Sequence, residues 1–397
     1  MDLAYQLITQ LYPAFAGWPA WLTVSICVLV AGGIVMTLVA LGPVFYVYAE
    51  RKISAFMQDR LGPMRVGPYG LLQTIADTIK LLLKEAIFPR GVNRPLFVMG
   101  PALVVGGAFM ALLVLPFGSR AQIVDLNVGL LFVVAVSSLS TVGLIMSGWA
   151  SNNKYSLFGA MRSAAQIVSY EIPEVIVLLS VVMLVGSLSL QDIVHAQAGG
   201  MQNWILFRYF PLMHIGFLVF FIAGLAECNR TPFDIPEAES ELVAGFHTEY
   251  SGFFFAMFFL AEYTEMFAIS VVASVLFLGG WQAPVPAWQQ IGAIGLGPLW
   301  MLAKVFPLMF VMMWLRWTLP RLRVDQLMHV AWKVLLPISL GLVLVVGGLL
   351  VYPPTSAGFP WDRFSFPITL AAVFVPLAWV ALNARRWQAR RNAELAR

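Results

Sequence analysis

The sequence predicts an all-α integral membrane protein, and three observations lead there. Of 397 residues, 60% are hydrophobic and only 11% are charged, whereas a soluble domain carries roughly a quarter charged residues. So few charges cannot cover a water-facing surface, so lipid must be the main solvent; the mean hydropathy of +0.83 agrees. Next, nine segments hold the roughly 20 mostly apolar residues that a spanning helix needs: 21–48, 94–116, 127–149, 165–190, 208–226, 250–279, 297–316, 329–352 and 364–384. The third observation is the placement of basic residues. With the N-terminus outside, the inner loops and the C-terminal tail hold 20 Lys and Arg, and the outer loops hold three, Arg120, Arg208 and Arg363. This is the positive-inside pattern, and an odd number of spans puts the basic tail inside.

The first segment, at about 1.5 Å per residue, exceeds a hydrocarbon core of roughly 30 Å and should tilt or project from it. Eight spans are expected to form the core and 364–384 a ninth. Between the first two lies GLLQTIADTIKLLLKEA, in which Leu71, Ile75, Ile79, Leu82 and Leu83 share a helical face while Gln73, Asp77, Lys80 and Lys84 form another stripe. It is too polar to span, so an amphipathic helix at the inner interface is expected; the pattern alone fits a simple anchor equally well. The N-terminal stretch has no basic residue, unlike a signal peptide, so the chain is expected to be mature.

Composition also restricts the chemistry. Two cysteines cannot hold an iron–sulfur cluster, which takes about four thiolates. The four histidines lack metal-ligand spacing, no glycine-rich phosphate loop is present, and nothing points to nucleic acid. No redox centre, bound metal or cofactor is expected in this chain alone.

Several ionisable residues fall where lipid disfavours them. Glu171 and Glu174 flank Pro173 in the fourth span, Glu262 and Glu265 share the sixth, and Lys304 lies in the seventh. A charge at mid-bilayer costs about 2.5–3.5 kcal/mol on insertion scales, so such groups tend to face a protein interior or a wet cavity. Two acids on one face also raise each other's proton affinity. The competing reading is solvation near a helix end, more so for Glu174 than for Glu171. The inner loop ECNRTPFDIPEAESELVAGFHTEY carries Glu227, Asp234, Glu237, Glu239, Glu241 and Glu249 against Arg230. An acidic inner loop runs against the charge trend, although a solvated acidic surface explains it equally well by pattern. The basic residues of the first inner loop have their own plain explanation, attraction to anionic lipid. His214 and His247 are expected to pack or hydrogen-bond.

The stretches AERKISAFMQDRLGPMRVGP (49–68), LLQTIADTIKLLLKE (71–85), AMRSAAQIVSYEIP (160–173) and AECNRTPFDIPEAESELVAGFHTEYSG (226–252) together resemble the H subunit of bacterial NADH–quinone oxidoreductase, of the complex I family that includes mitochondrial subunit 1. The resemblance covers about residues 20–350. It implies a membrane domain over 1–352, whose inner loops 49–94 and 227–250 form the side facing a quinone chamber; beyond it, hydropathy and charge predict an added helix and basic tail over 353–397. It implies a bacterial inner membrane, with the N-terminus periplasmic and the C-terminus cytoplasmic. It further implies that a lipid-borne quinone is reduced beside this chain, with iron–sulfur clusters and FMN in partner subunits, and that carboxylates lead protons from the chamber into the membrane arm. Matched motif by motif, Arg51, Lys52, Asp77, Lys80 and Arg230 fall on the quinone-chamber side. Glu171, Glu227, Glu237, Glu239, Glu241 and Glu262 fall on the proton route. Glu174 has no clear family counterpart.

Two departures stand out. Some relatives carry an acid in the third span, where this chain offers Ser137, Ser138 and Ser140, and bacterial relatives commonly end after the eighth span. Two further functions remain open on sequence. One is the membrane anchor of a hydrogenase or formate hydrogenlyase-type complex, against which the full EAESELVAGFHTEYSG run argues. The other is a cation-exchanging secondary transporter, against which the missing inverted repeat argues.

Overall fold

A computed structural model describes residues 17, 19–119, 121–236, 239–291 and 294–351. It is helical apart from one antiparallel pair of two-residue strands, Gln290–Ile291 with Ile294–Gly295. The principal helices are α1 (Ala20–Met57), α2 (Gln73–Leu83), α3 (Arg94–Val114), α4 (Gly129–Ala150), α5 (Lys154–Val185), α6 (Leu212–Glu227), α7 (Gly252–Phe277), α8 (Gly297–Thr318) and α9 (Val324–Val351). Among the described residues, α3, α4, α5, α7, α8 and α9 are long and apolar enough to cross a membrane, and α6 is a shorter apolar helix. The expected ninth span, 364–384, lies outside the described residues.

Three boundaries differ from the sequence reading, each for a local reason. Helix α1 does not stop near residue 48 but runs 38 residues to Met57, so Glu50, Arg51 and Lys52 ride on a rigid helix rather than in a loop. Helix α5 begins at Lys154, where the Asn153 side chain accepts the Tyr155 amide at 2.9 Å and supplies an N-cap. It ends at Gly186, whose φ of 80° is the left-handed cap that glycine adopts without strain. Arg162 therefore projects from a helix. Helix α6 begins only after Pro211, which stands at its N-cap and has no amide to extend the helix backwards.

Helix α7 is the hub. It packs against α1, α2, α3, α6 and α8, and from Met266 to Phe277 every side chain is buried. A helix apolar on all sides is the kind that sits inside a bundle. Helices α3 and α4 approach most closely. A Cβ at Gly100 would lie 2.1 Å from the Ser147 hydroxyl, and one at Gly143 would lie 2.6 Å from Val104. Small residues permit that backbone approach, as in other membrane bundles, and it fixes the face of α4 that carries Ser137, Ser138 and Ser140. Helix α9 packs along α5 and contains a π turn at Val330–Leu335.

Lys304 on α8 is enclosed in a cup of acceptors. Its Nζ donates to the carbonyls of Leu278, Gly280 and Gln282 at 2.6, 2.7 and 2.7 Å and lies 4.0 Å from the Trp204 ring centroid. The ammonium thus ties the segment after α7 to α8, at the helix C-terminus where a cation is favoured. Lys304→Met should leave the three carbonyls without their donor and lower unfolding free energy by on the order of 3 kcal/mol. Denaturant titration in detergent measures it; unchanged stability would mean that the cup holds nothing in place.

Candidate functional site

Helices α1, α2 and α7 line an open-mouthed cavity of about 280 Å³. Its walls are mainly apolar, with Val47, Leu81, Phe255, Phe259 and Leu260 among them, while Arg51, Asp77 and Tyr263 provide polar groups. A mostly apolar pocket with a few placed polar groups is the usual form of a small-molecule site. Arg51 Nη1 donates to Asp77 Oδ2 at 2.5 Å, and Gln73 Nε2 donates to Asp77 Oδ1 at 3.1 Å. The Arg51 and Asp77 side chains keep 45% and 35% of their exposure, so the pair adds little stability and serves to orient both groups at the cavity wall. Of the other expected chamber residues, Lys52 turns away and donates to the Pro63 carbonyl at 2.7 Å. Lys80 is exposed on α2 and does not line the cavity.

Arg230 lies behind the cavity, in a buried ionic cluster. Glu50 Oε2 accepts the Tyr263 hydroxyl at 2.6 Å. Both Glu50 oxygens lie 3.3 Å from Arg230 Nη1, and Arg316 also donates to Glu50. Arg230 Nε is 3.2 Å from Glu262 Oε1, and its guanidinium lies 4.2 Å over the Tyr263 ring. The Arg230 and Glu50 side chains are each 5% exposed, where an unpaired charge would be costly. Burial alone disfavours the guanidinium charge, but Glu262, Tyr263 and Glu50 around it hold the Arg230 pKa well above its ordinary value. Two carboxylates meet two guanidiniums, so the cluster balances.

Further into the bundle the carboxylates meet serines. Ser138 donates to Glu171, and Ser140 Oγ donates to Glu265 Oε1 at 2.5 Å. Glu174, Glu227 and Ser137 converge on one small space between α4, α5 and α6. Ser137, Glu174, Glu227 and Glu265 line a cavity of about 50 Å³. Asn229, His247, Glu262 and Glu265 line another of about 20 Å³. The expectation that Glu174 is the more solvated of its pair is overturned: Glu174 is buried and Glu171 half-buried, because α5 turns the face of residue 174 toward α4 and α6.

The acidic loop is not one site. Glu227, at the end of α6, faces inward. Glu241 is exposed and pairs with Arg162 at 2.7 Å, whose hydrogen bond holds its carboxyl below the usual range. Glu249 accepts from Asn153 Nδ2 at 2.5 Å. Glu239 opens the short helix Glu239–Leu242, and Glu237 lies outside the described residues. Sequence reasoning missed Glu50, Tyr263 and Arg316 as partners of Arg230. One signal was present: Glu50 precedes Arg51 in the same motif, and a helix turns about 100° between neighbours, which sends the two side chains to different surroundings.

Comparison with known sequences follows the same residues. The profile of a family described as NADH dehydrogenase matches residues 30–347. The H subunit of the NADH-quinone oxidoreductase of Chlorobaculum parvum is 53% identical over 332 residues, covering 81% of this chain and 91% of the relative. That of Anoxybacillus flavithermus is 51% identical over 324 residues, 81% and 93% of the two chains. The H subunit designated 2 in Cytophaga hutchinsonii is 46% identical over 362 residues, 80% and 98%.

His247 is buried among the rings of Phe246, Phe255 and Phe259, and that burial pushes its pKa down to about 4. An unfolded histidine titrates near 6.5. Its contribution to stability is therefore complete above about pH 6.5 and is lost as pH falls from there toward 4, because only the unfolded chain takes the proton. The loss should approach about 3 kcal/mol, and His247→Asn should remove it. Unfolding free energies of both proteins at pH 7 and pH 4 give the comparison; parallel pH slopes would refute it.

Proposed function

Because this chain belongs to the H-subunit family of the NADH-quinone oxidoreductases, membrane subunits of the complex I oxidoreductase, we propose that its 280 Å³ cavity receives the quinone head and that its buried carboxylates begin the proton route. The observation that carries this reading is Tyr263, which lines the cavity and donates at 2.6 Å to Glu50 in the buried ionic cluster. A change of charge in the cavity is thereby presented to the cluster through one side chain. Partner subunits of the complex supply the electrons, through FMN and iron–sulfur clusters.

The steps assigned to this chain are binding, charge sensing and proton transfer. The cavity volume suits a ring head, while a long apolar tail would extend toward lipid. Arg51 stabilises negative charge that develops on the quinone oxygen, and Asp77 holds the guanidinium in place. With an effective dielectric constant of about 20, a unit charge about 10 Å away acts on a carboxylate by about 1.7 kcal/mol. That exceeds one pKa unit, enough to favour uptake or release of a proton at a poised acid. The route then runs from Glu262 toward Glu227 and on to Glu171, with Glu174 beside it. Arg230 keeps Glu50 charged and holds Glu262 in line at the head of the route. Glu241, exposed beside Arg162, together with Glu237 and Glu239, fits proton entry from the inner face.

In reconstituted complex, Arg51→Ala should lower quinone reduction while sparing transfer from donor to a hydrophilic acceptor. Glu227→Gln should lower quinone reduction and proton translocation together, by about tenfold or more, the scale of a lost proton-transfer group. Normal coupled turnover in both variants, measured as donor oxidation and proton uptake in vesicles, rejects the reading.

We assign the chain a periplasmic N-terminus and a cytoplasmic C-terminus in a bacterial inner membrane, with eight core spans and a ninth, and with α2 at the inner interface. In a cysteine-free background, Leu61→Cys and Ala396→Cys should react with a membrane-impermeant maleimide only in inside-out vesicles. Labelling of position 396 from the outside would remove the ninth span.

A further inference from the structure

Two small cavities lie on opposite sides of Glu265. The larger, about 50 Å³, is lined by Ser137, Glu174 and Glu227. The smaller, about 20 Å³, is lined by Asn229, His247 and Glu262. Among the described residues lining them, Glu265 alone belongs to both. A water needs roughly 10–15 Å³ and two to four polar partners, so by volume the larger has room for about three waters, with Ser137, Glu174, Glu227 and Glu265 as the polar groups of a mainly apolar wall, and the smaller for about one. His247 Nδ1 is buried without a hydrogen-bond partner, in a side chain that lines the smaller cavity, and can accept a hydrogen bond from such a water.

The Glu265 carboxylate is also held at one of its two oxygens. It lies three residues beyond Glu262 on α7, so the two side chains share a face. Its Oε1 accepts the Ser140 hydroxyl of α4 at 2.5 Å, and α4 is fixed against α3 by the close approach at Gly100 and Gly143. With Oε1 engaged, Oε2 remains to exchange a proton with water. A purely structural acid would need the bond to Ser140 but no water-sized space on either side.

We infer that Glu265 is the proton-carrying junction between the Arg230–Glu262 cluster and the Glu174–Glu227 pair, with His247 positioning the water on the cluster side. This rests on the proposed proton route. A proton leaves Glu262, crosses one water and forms an O–H bond on Glu265. The Glu265 proton then leaves through the waters of the larger cavity to Glu227 or Glu174. One O–H bond forms for each that breaks, and no electron moves.

The test uses the whole complex in vesicles, with donor oxidation, proton uptake and the donor-to-hydrophilic-acceptor rate read together. Glu265→Gln keeps the size and can still accept from Ser140, but it cannot titrate. It should lower coupled turnover about tenfold or more with the hydrophilic-acceptor rate kept. Turnover within about twofold of wild type in Glu265→Gln, alongside a large loss in Glu227→Gln, overturns the junction and leaves the route standing. Normal turnover in both overturns junction and route alike. Should Glu265→Gln fail to assemble, Glu265→Asp draws the carboxylate back from both cavities. It should then slow turnover with a larger solvent isotope effect, and an unchanged isotope effect overturns the inference.

Discussion

Arg230 is the group on which the interior depends. A buried guanidinium without partners would cost several kcal/mol, and here it is met by Glu50 from α1, by Glu262 from α7 and by the Tyr263 ring. These partners come from different stretches of chain, so satisfying this one charge fixes the depth and rotation of α1 and α7 against the end of α6. Arg316 completes the balance from α8. The pairing gives little net stability relative to an apolar core; what it provides is register, because any slip of these helices separates a charge from its partner.

That register sets the rest of the site. Once α7 is fixed by Arg230, Tyr263 faces the cavity and Glu265 reaches α4. The close contact of α3 with α4 then decides which serines meet the carboxylates, since a side chain at Gly143 would collide with Val104 and the Gly100 carbonyl. Packing that looks purely structural thus controls the spacing of titratable groups. The hydroxyls of Ser138 and Ser140 bind Glu171 and Glu265, so α4 meets these carboxylates with donors and adds no charge of its own.

The architecture also separates two kinds of carboxylate. Glu50 is held by fixed cations and a phenol and suits permanent charge. Glu174, Glu227 and Glu265 have serines, each other and water-sized space around them, and suit a proton that comes and goes. Both kinds lie within one low-dielectric interior, where charge–charge interactions are several-fold stronger than in water. On the proposed function, a single event in the cavity of α1, α2 and α7 acts along the series without any large movement of helices.

The sequence by itself determined the membrane class, most of the helices and the family, because hydropathy, charge distribution and long ordered motifs are local or additive properties of the chain. It also pointed to Glu171, Glu174, Glu262, Glu265 and Lys304, since charged residues in apolar surroundings are conspicuous in one dimension, while Arg51, Asp77 and Glu227 came from the family resemblance. It could not give the partners. Glu50 and Arg230 are 180 residues apart in sequence, and Ser140 and Glu265 are 125 apart, so no periodicity links them. Nor could it tell that Glu174 is buried and Glu241 exposed, because that depends on which neighbouring helix covers each face. Only the tertiary structure decided those points: proximity between distant residues is set by helix packing, and in a low-dielectric interior the partner of a charge, more than its identity, decides what it does.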